Sequence, residues 1–130
     1  MIRFALPLPP TSLHPNARAH WSERMKANAK YRFDVAILAR EHAPTVPLSR
    51  ARLQLHFLKR SDKEPDDDNL NCWFKAGRDG LADAGIIAND RRFTMEPATW
   101  GMDKDDPRVV VTIEEIPDGA SPVVVQLPTP

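Results

Sequence analysis

The sequence is poor in the residues and patterns that mark several classes of protein. It has one cysteine, Cys72, which excludes an internal disulfide and cannot by itself build a zinc site. It has no apolar run near the roughly 20 residues that a membrane-spanning helix needs. The segment from Met1 to Pro10 lacks the basic flank, long apolar stretch and cleavage site of a secretory signal. We therefore expect a cytoplasmic protein with no membrane partner.

The chain also lacks net charge, since 18 basic side chains balance 18 acidic ones. The two halves differ, however. Residues 1–60 hold 11 Lys or Arg against 3 Asp or Glu, a net of +8, and residues 61–130 hold 7 against 15, a net of −8. This asymmetry predicts an acidic cluster presented against a basic surface.

Proline is abundant, and its positions divide the chain. There are 13 prolines, and the ring is excluded from helix interiors because it removes a backbone hydrogen bond and clashes with the preceding turn. Two proline-free windows, 16–43 and 66–96, are long enough for a helix. In the first window Ser22 is a candidate N-cap and predicts a helix over about 22–42. The apolar residues that recur there at helical spacing are Met25, Ala29, Phe33, Ala36 and Ile37.

The second window predicts a helix over about 69–84. It begins with three aspartates and Asn69, which suit a helix start as caps and as negative charges near the positive end of the helix dipole. Gly85 is a natural C-terminal stop. One apolar stripe runs along the predicted helix and contains Leu70, Phe74, Gly77, Leu81 and Ala84.

Elsewhere apolar and polar residues alternate, as in half-buried strands. The alternation predicts strands over 2–8, 50–57 and 109–114, and a weaker strand over 92–100, where Pro97 favours an edge or a bulge. The order β-α-β-α-β-β indicates an α+β domain with a mixed β-sheet and two main helices. The last two strands are expected to form an antiparallel pair across an Asp- and Pro-containing turn.

We assign residues 1–116 to this single domain and residues 117–130 to a Pro-rich C-terminal tail. The tail contains four of the 13 prolines, which excludes a helix there. It is expected either to be disordered or to add a strand over 123–127.

The most informative segment for chemistry is the run Asp66, Asp67 and Asp68, followed one helix later by Asp90. Adjacent carboxylates repel each other unless they take up a proton or a cation neutralises them. Their oxygen ligands suit Mg²⁺ or Mn²⁺. The turn at Gly85 would return the chain so that a strand after Asp90 lies beside the strand that leads to Asp66. A divalent ion at such a site could activate water and neutralise charge on a phosphodiester.

Other interpretations of the same residues remain open. An aspartate run before a helix also serves as a cap and as solvated charge. Lys75 and Asp79 lie on the helical face of Asp68, so Lys75 could bind a scissile phosphate or form an ordinary ion pair with Asp79. An EF-hand loop fits poorly because Leu70 or Cys72 falls where a ligand or glycine is required. The chain has no glycine loop for nucleotide phosphates, so we expect no nucleotide cofactor.

These motifs together resemble the RusA family of Holliday junction resolvases, which are common in phages and prophages. The resemblance spans about residues 2–116 and covers the acidic motif, the N-terminal region and the last strand. The matching segments are Asp66-Asp67-Asp68-Asn69-Leu70, Lys75, Asp79-Gly80-Leu81, Ala84-Gly85-Ile86-Ile87, Asn89-Asp90, Leu6 to Pro10, Pro15 to Trp21, and Pro107 to Glu115.

The resemblance implies a homodimeric, Mg²⁺-dependent endodeoxyribonuclease, with Mn²⁺ as a substitute, that resolves four-way DNA junctions by paired symmetric nicks during recombination and repair. It implies that Asp66, Asp68 and Asp90 are the catalytic metal ligands. It also makes Lys75 the candidate for the functional lysine of the family.

Two departures from the family pattern concern this motif. The lysine of the best-known members follows the second aspartate by four residues, where this chain has Cys72, and Lys75 comes three residues later. Three residues are close to one helical turn, so an insertion of that length would keep the lysine on nearly the same face of the helix. Asn89 stands where those members have a further aspartate, which is expected to alter metal affinity.

The basic half of the chain supplies candidate contacts to DNA phosphates. For each of them an ordinary solvated surface position is the alternative. Two other functions also stay open: a catalytically silent DNA-binding or assembly protein on the same fold, and a nuclease for other branched DNA. The candidate nucleic-acid-binding residues are Asn16, Arg18, His20, Lys59, Arg60 and Lys63.

Overall fold

A computed structural model of the chain describes residues 1–65 and 67–117, and for Asp67 and Asp68 it describes the backbone only. Within these ranges the chain forms one mixed five-stranded sheet and three α-helices, which confirms the predicted α+β class with a mixed sheet. None of the helices in the described ranges is long and apolar enough to cross a membrane. The strand expected over 123–127 lies outside the described residues.

The sheet is organised around β2, which spans Ala51–Lys59. On one side β2 pairs antiparallel with β5 (Arg108–Glu115), and β5 pairs antiparallel with β1 (Ile2–Leu6). On its other side β2 pairs in parallel with two short strands, β3 (Phe93–Met95) and β4 (Thr99–Met102). The weak strand predicted over 92–100 is therefore two edge strands, and Pro97 lies in the gap between them, where no ladder donor is needed.

The prediction that the last two strands pair with each other is wrong, because β2 lies between them. The turn that joins β4 to β5 passes over the end of β2, where the backbone N–H of Asp103 donates to the carbonyl of Lys59 at 2.8 Å. Leu53, Leu55 and Phe57 of β2 are fully buried. The most buried strand thus takes the centre of the sheet, where both of its edges are paired.

The first predicted helix is confirmed with small changes at its ends. It is α1, Trp21–Ala39, and it continues as a 3₁₀ turn, Arg40–His42. The N-cap is His20 rather than Ser22, since the Nδ1 of His20 accepts a hydrogen bond from the backbone N–H of Ser22 at 3.2 Å. The side chains that α1 buries are Tyr31, Val35, Ala36 and Ala39.

The second predicted helix is two helices, α2 (Asp67–Trp73) and α3 (Lys75–Asp83), with a break at Phe74. Trp73 and Phe74 are both buried. Neighbouring residues of a continuous helix point about 100° apart, so the break lets both aromatic rings enter the core. The predicted stripe is nevertheless buried throughout, and Gly85 ends the segment with a φ of 86°, as expected of a C-terminal stop.

Candidate active site

The candidate site lies where α3 meets a 3₁₀ turn, Asp90–Arg92, that leads into β3. The chain reaches this turn through a parallel bridge between Leu48 and Ile87. Around the bridge the N–H of Leu48 donates to the carbonyl of Ile86, and the N–H of Ala88 donates to the carbonyl of Leu48, each at 2.9 Å. The turn that carries Asp90 is therefore anchored by backbone hydrogen bonds near the N-terminal end of β2.

Asp90 lies beside Asp79 of α3, close enough for its carboxyl group to affect the pKa of Asp79. Burial raises the pKa of Asp79 above its ordinary value, and the carboxyl group of Asp90 raises it further. Lys75 and Arg32 act in the opposite direction without cancelling the effect. The Asp79 carboxyl group is therefore more readily neutralised, by a proton or by a cation, than an ordinary surface aspartate.

Two cationic side chains border the carboxyl pair. The Nζ of Lys75 lies 3.9 Å from the Oδ2 of Asp79, and 62% of the Lys75 side chain is exposed. Arg32 of α1 makes two hydrogen bonds to Asp83, from Nε to Oδ2 at 2.6 Å and from Nη2 to Oδ1 at 3.0 Å. The charge of Arg32 also attracts Asp79 and Asp90. Lys75 is thus the more accessible of the two cations.

The carboxyl pair fits a hard divalent cation. Carboxylate oxygens are the ligands that Mg²⁺ prefers, and it commonly takes one or two of them together with waters and substrate phosphates. A cation between Asp79 and Asp90 would also relieve the repulsion that raises the pKa of Asp79. In residues 1–65 and 67–117, setting aside the side chains of the aspartate run, no cluster of three or more His, Cys, Asp or Glu is placed to hold a metal ion.

The structure brings together part of the predicted catalytic set. Asp90 and Lys75 both lie next to Asp79. Asp66 is outside the described residues, and Asp68 is described only as backbone in the first turn of α2. The convergence of Asp66 and Asp68 with Asp90 therefore stays a prediction.

Sequence reasoning missed the role of Asp79. It placed Asp79 only as an ion-pair partner of Lys75, and that pair is present. The available signal was the spacing of Asp79 from Asp68, which in one continuous helix would put both residues on the same face. Its contact with Asp90 depends on how the chain returns after Gly85, which helical spacing alone does not reveal.

The predicted DNA-binding residues form two groups on the surface. Asn16, Arg18 and His20 are exposed in the segment before α1, and His20 is engaged as its N-cap. Arg60 and Lys63 are exposed after β2.

Lys59 of the second group is partly ordered by its neighbours. Its Nζ donates to the carbonyl of Lys63 at 2.8 Å and lies 5.2 Å from the ring centroid of Trp100. Lys59 and Arg60 also line a cavity of about 470 Å³ shared with the Pro-rich segment 8–11. Among the described residues none of the six candidates makes an ion pair with Asp79 or Asp90.

Comparison with known proteins gives a relative of nearly full length. No protein-family model matches the chain. The chain is 38% identical over 125 residues to an uncharacterized protein of Xylella fastidiosa. The match covers 93% of this chain and 81% of the relative, so it is not confined to one motif.

Proposed function

We propose that this chain, which belongs to the same family as the Xylella fastidiosa protein, is a Mg²⁺-dependent endodeoxyribonuclease that resolves four-way DNA junctions. The observation that carries the proposal is the contact between Asp79 and Asp90 beside the exposed Lys75. Two carboxyl groups and an exposed cationic group are the parts that metal-assisted phosphodiester hydrolysis needs. The choice of a junction as substrate is supported by the resemblance of the surrounding motifs to RusA resolvases.

In this mechanism Asp79 and Asp90 would hold the divalent ion, and Asp66 and Asp68 are its further ligands predicted from the sequence. When bound, Mg²⁺ supplies activation of the attacking water and neutralisation of phosphate charge. Lys75 lies close enough to the pair to bind the scissile phosphate or to stabilise the leaving oxygen. Arg32 is held by its two hydrogen bonds to Asp83, so it is less available than Lys75 to contact a phosphate.

We also propose that the protein is a homodimer that associates through one face of α1. Four large apolar side chains on this helix are half or more exposed: Trp21 (67%), Met25 (63%), Phe33 (63%) and Ile37 (50%). With Ala29 they form a row at four-residue spacing, which we call the α1 row. Single exposed apolar residues are ordinary, but a continuous row marks an interaction surface.

A second copy is the partner that the α1 row fits. The row has nearly the same character read in either direction, with large residues on both sides of Ala29. An antiparallel copy would set each Met25 against a Phe33 and each Trp21 against an Ile37 around a two-fold axis at Ala29. At roughly 150–250 Å² per large side chain, the row exposes on the order of 450 Å² per copy, so two copies would bury at most about 900 Å². This approaches the roughly 1,000 Å² of a specific interface.

The proposed activity is tested by nicking of a synthetic four-way junction in the presence of Mg²⁺. We expect paired nicks from the wild type and a loss of about 100-fold or more in Asp90→Asn and in Asp68→Asn. Asp105→Asn is the matched control, because it removes one exposed carboxylate from the turn before β5. Equal cleavage by the wild type and Asp90→Asn would refute the proposed active site.

The same assay separates the remaining functions. Junction binding without nicking in Mg²⁺, Mn²⁺ or Co²⁺ would replace the proposal by a catalytically silent DNA-binding or assembly protein. If flaps are cleaved in preference to four-way junctions in a competition assay, the protein is a nuclease for other branched DNA that uses the same chemistry.

A further inference from the structure

A polar cavity of about 460 Å³ lies beside the 3₁₀ turn that carries Asp90. Among the described residues its lining consists of two arginines, an asparagine, a serine and an alanine, none of which is acidic. The lining residues are Ser49, Arg50, Ala88, Asn89 and Arg92.

The walls of the cavity are held by backbone hydrogen bonds. The bridge between Leu48 and Ile87 joins its two sides. The carbonyl of Arg50 accepts from the N–H of Ile116 at 3.0 Å, and the N–H of Arg92 donates to the carbonyl of Asn89 at 2.9 Å. The cavity is therefore preformed, and its polar side chains project from fixed backbone.

The cavity presents hydrogen-bond donors that are not used elsewhere in the described ranges. Arg32, Arg52 and Arg108 pair with carboxylates, whereas Arg50 and Arg92 make no ion pair within residues 1–65 and 67–117. The Oδ1 of Asn89 accepts from the N–H of Arg91 at 3.0 Å, which leaves the Asn89 amide group as a donor. Two guanidinium groups and an amide together are complementary to an oxyanion such as phosphate.

We infer that this cavity binds a phosphate of the DNA backbone adjacent to the phosphate that is cleaved. The inference rests on the proposed function, which makes DNA the substrate. Asn89 and Arg92 flank Asp90 in the turn, and at about 2 Å rise per residue they lie within roughly 4 Å of it along the axis. A strand that passes Asp90 can therefore place a neighbouring phosphate between the two arginines. An asparagine at position 89 suits this task, because an aspartate there would repel the phosphate.

The test is the salt dependence of DNA binding by the double variant Arg50→Gln/Arg92→Gln. Affinities for a four-way junction and for a linear duplex are measured in EDTA by fluorescence anisotropy over a range of salt concentrations, so that no cleavage is required. Loss of one phosphate contact should reduce the magnitude of the slope of log K against log salt by about 0.9 for each cavity that contacts DNA. The affinity of the variant should fall for both DNAs.

The matched control is Arg3→Gln/Lys104→Gln, which removes the same charge from two exposed positions. Arg3 lies on the edge strand β1, and Lys104 lies in the turn before β5. The inference requires that the control keep the wild-type slope and that thermal unfolding show both variants folded. Equal slopes for all three proteins would overturn it. Stabilisation of the wild type by inorganic phosphate, lost in Arg50→Gln/Arg92→Gln without a change in DNA binding, would assign the cavity to a free oxyanion instead.

Two outcomes distinguish this inference from the proposed function. A reduced slope in Arg50→Gln/Arg92→Gln together with no metal-dependent nicking by the wild type would support the phosphate site and refute the proposed nuclease activity. Nicking by the wild type together with an unchanged slope in the double variant would support the nuclease activity and refute the phosphate site.

Discussion

At the scale of single residues, Asp79 and Asp83 lie one helical turn apart on α3, and their pKa values are shifted in opposite directions. Burial and the neighbouring Asp90 raise the pKa of Asp79, so the folded protein holds a proton there more tightly than the unfolded chain does. The hydrogen bonds from Arg32 hold the pKa of Asp83 below its usual range, so the folded protein favours the ionised form. Ionisation therefore destabilises the fold at Asp79 and stabilises it at Asp83.

This contrast predicts opposite effects of two identical substitutions. In EDTA at neutral pH, Asp79→Asn should raise the melting temperature because it removes a carboxylate that is disfavoured in the folded state. Asp83→Asn should lower it because Arg32 loses its partner. Since both positions are partly exposed, solvent screening keeps the changes moderate.

The pH dependence follows from the same signs. The gain from Asp79→Asn should shrink as pH falls toward the ordinary carboxyl value of about 4, because wild-type Asp79 is then protonated. The stability contributed by Asp83 is present above that value and is lost as pH falls through the lower pKa of the folded protein, so the deficit of Asp83→Asn should disappear there. Thermal unfolding across pH checks both, and a shift of the two variants in the same direction at neutral pH would contradict the assignment.

The stabilising substitution should also carry a functional cost. If Asp79 is a metal ligand, Asp79→Asn should weaken Mn²⁺ binding by roughly 10-fold or more, although it unfolds at a higher temperature without metal. Isothermal titration with Mn²⁺ provides the measurement, and Asp83→Asn is the matched control on the same helix. Unchanged Mn²⁺ affinity in Asp79→Asn would show that the carboxyl pair is not the metal site.

At the scale of elements, the position of the site depends on how closely α3 approaches α1. Gly80 is the contact point, since a Cβ there would lie 2.6 Å from the backbone carbonyl oxygen of Arg32 and 2.9 Å from the Cβ of Val35. The lack of a side chain brings Asp79 and Asp83, on either side of Gly80, within reach of Arg32. Backbone does not yield as a flexible side chain does, so this contact has little room for change.

The substitution Gly80→Ala should therefore destabilise the protein by about 1–3 kcal/mol, the usual cost of overpacking. A loss of stability would be informative, because in an isolated helix alanine is about 1 kcal/mol more favourable than glycine and the same substitution would be stabilising. Gly101→Ala is the control: its nearest neighbour would be the Cδ2 of Leu58 at 3.4 Å, so a change within about 0.5 kcal/mol is expected. Denaturant unfolding measures both, and a neutral Gly80→Ala would mean that the helices can separate freely.

At the scale of the whole molecule, the fold joins the basic and acidic halves of the chain. Arg32 of the basic half pairs with Asp83 of the acidic half, and Arg52 lies 3.8 Å from Glu96 and 3.9 Å from Glu114. The two halves of the chain therefore meet at these ion pairs. The arginines left without such partners in the described ranges, Arg50 and Arg92 among them, are the ones available to phosphate.

The α1 row gives a prediction for the assembled molecule. Phe33→Glu should convert a dimer to a monomer, because it places a charge near the middle of the proposed interface. Val46→Glu, at another exposed apolar position outside the row, should remain dimeric. Sedimentation velocity distinguishes the two, and a wild type that is monomeric at every concentration tested would rule out the α1 dimer. Paired nicking should fall together with dimerisation, while fold and metal affinity are retained.

Several features of the fold and site could be predicted because they depend on local periodicity. Alternation at period 2 located β1, β2 and β5, and spacing near 3.6 residues located the helices and the buried stripe from Leu70 to Ala84. Composition and spacing also selected Asp90 and Lys75 as site candidates. Both lie next to Asp79, and their convergence with Asp66 and Asp68 stays a prediction. The boundaries at Ser22 and Phe74 were missed, because His20 replaces a more usual cap and tertiary packing of Trp73 and Phe74 overrides helix continuity.

The sequence by itself determined which segments are helices or strands, because backbone geometry repeats over a few residues and the apolar pattern follows it. Only the tertiary structure decided what those segments meet. It placed β2 between β4 and β5, because a strand's partners depend on contacts far apart in the chain. It selected which of two apolar faces of α1 enters the core, leaving Met25 and Phe33 exposed. It also brought Asp79 to Asp90, since no local rule relates a helix residue to the turn that returns beside it.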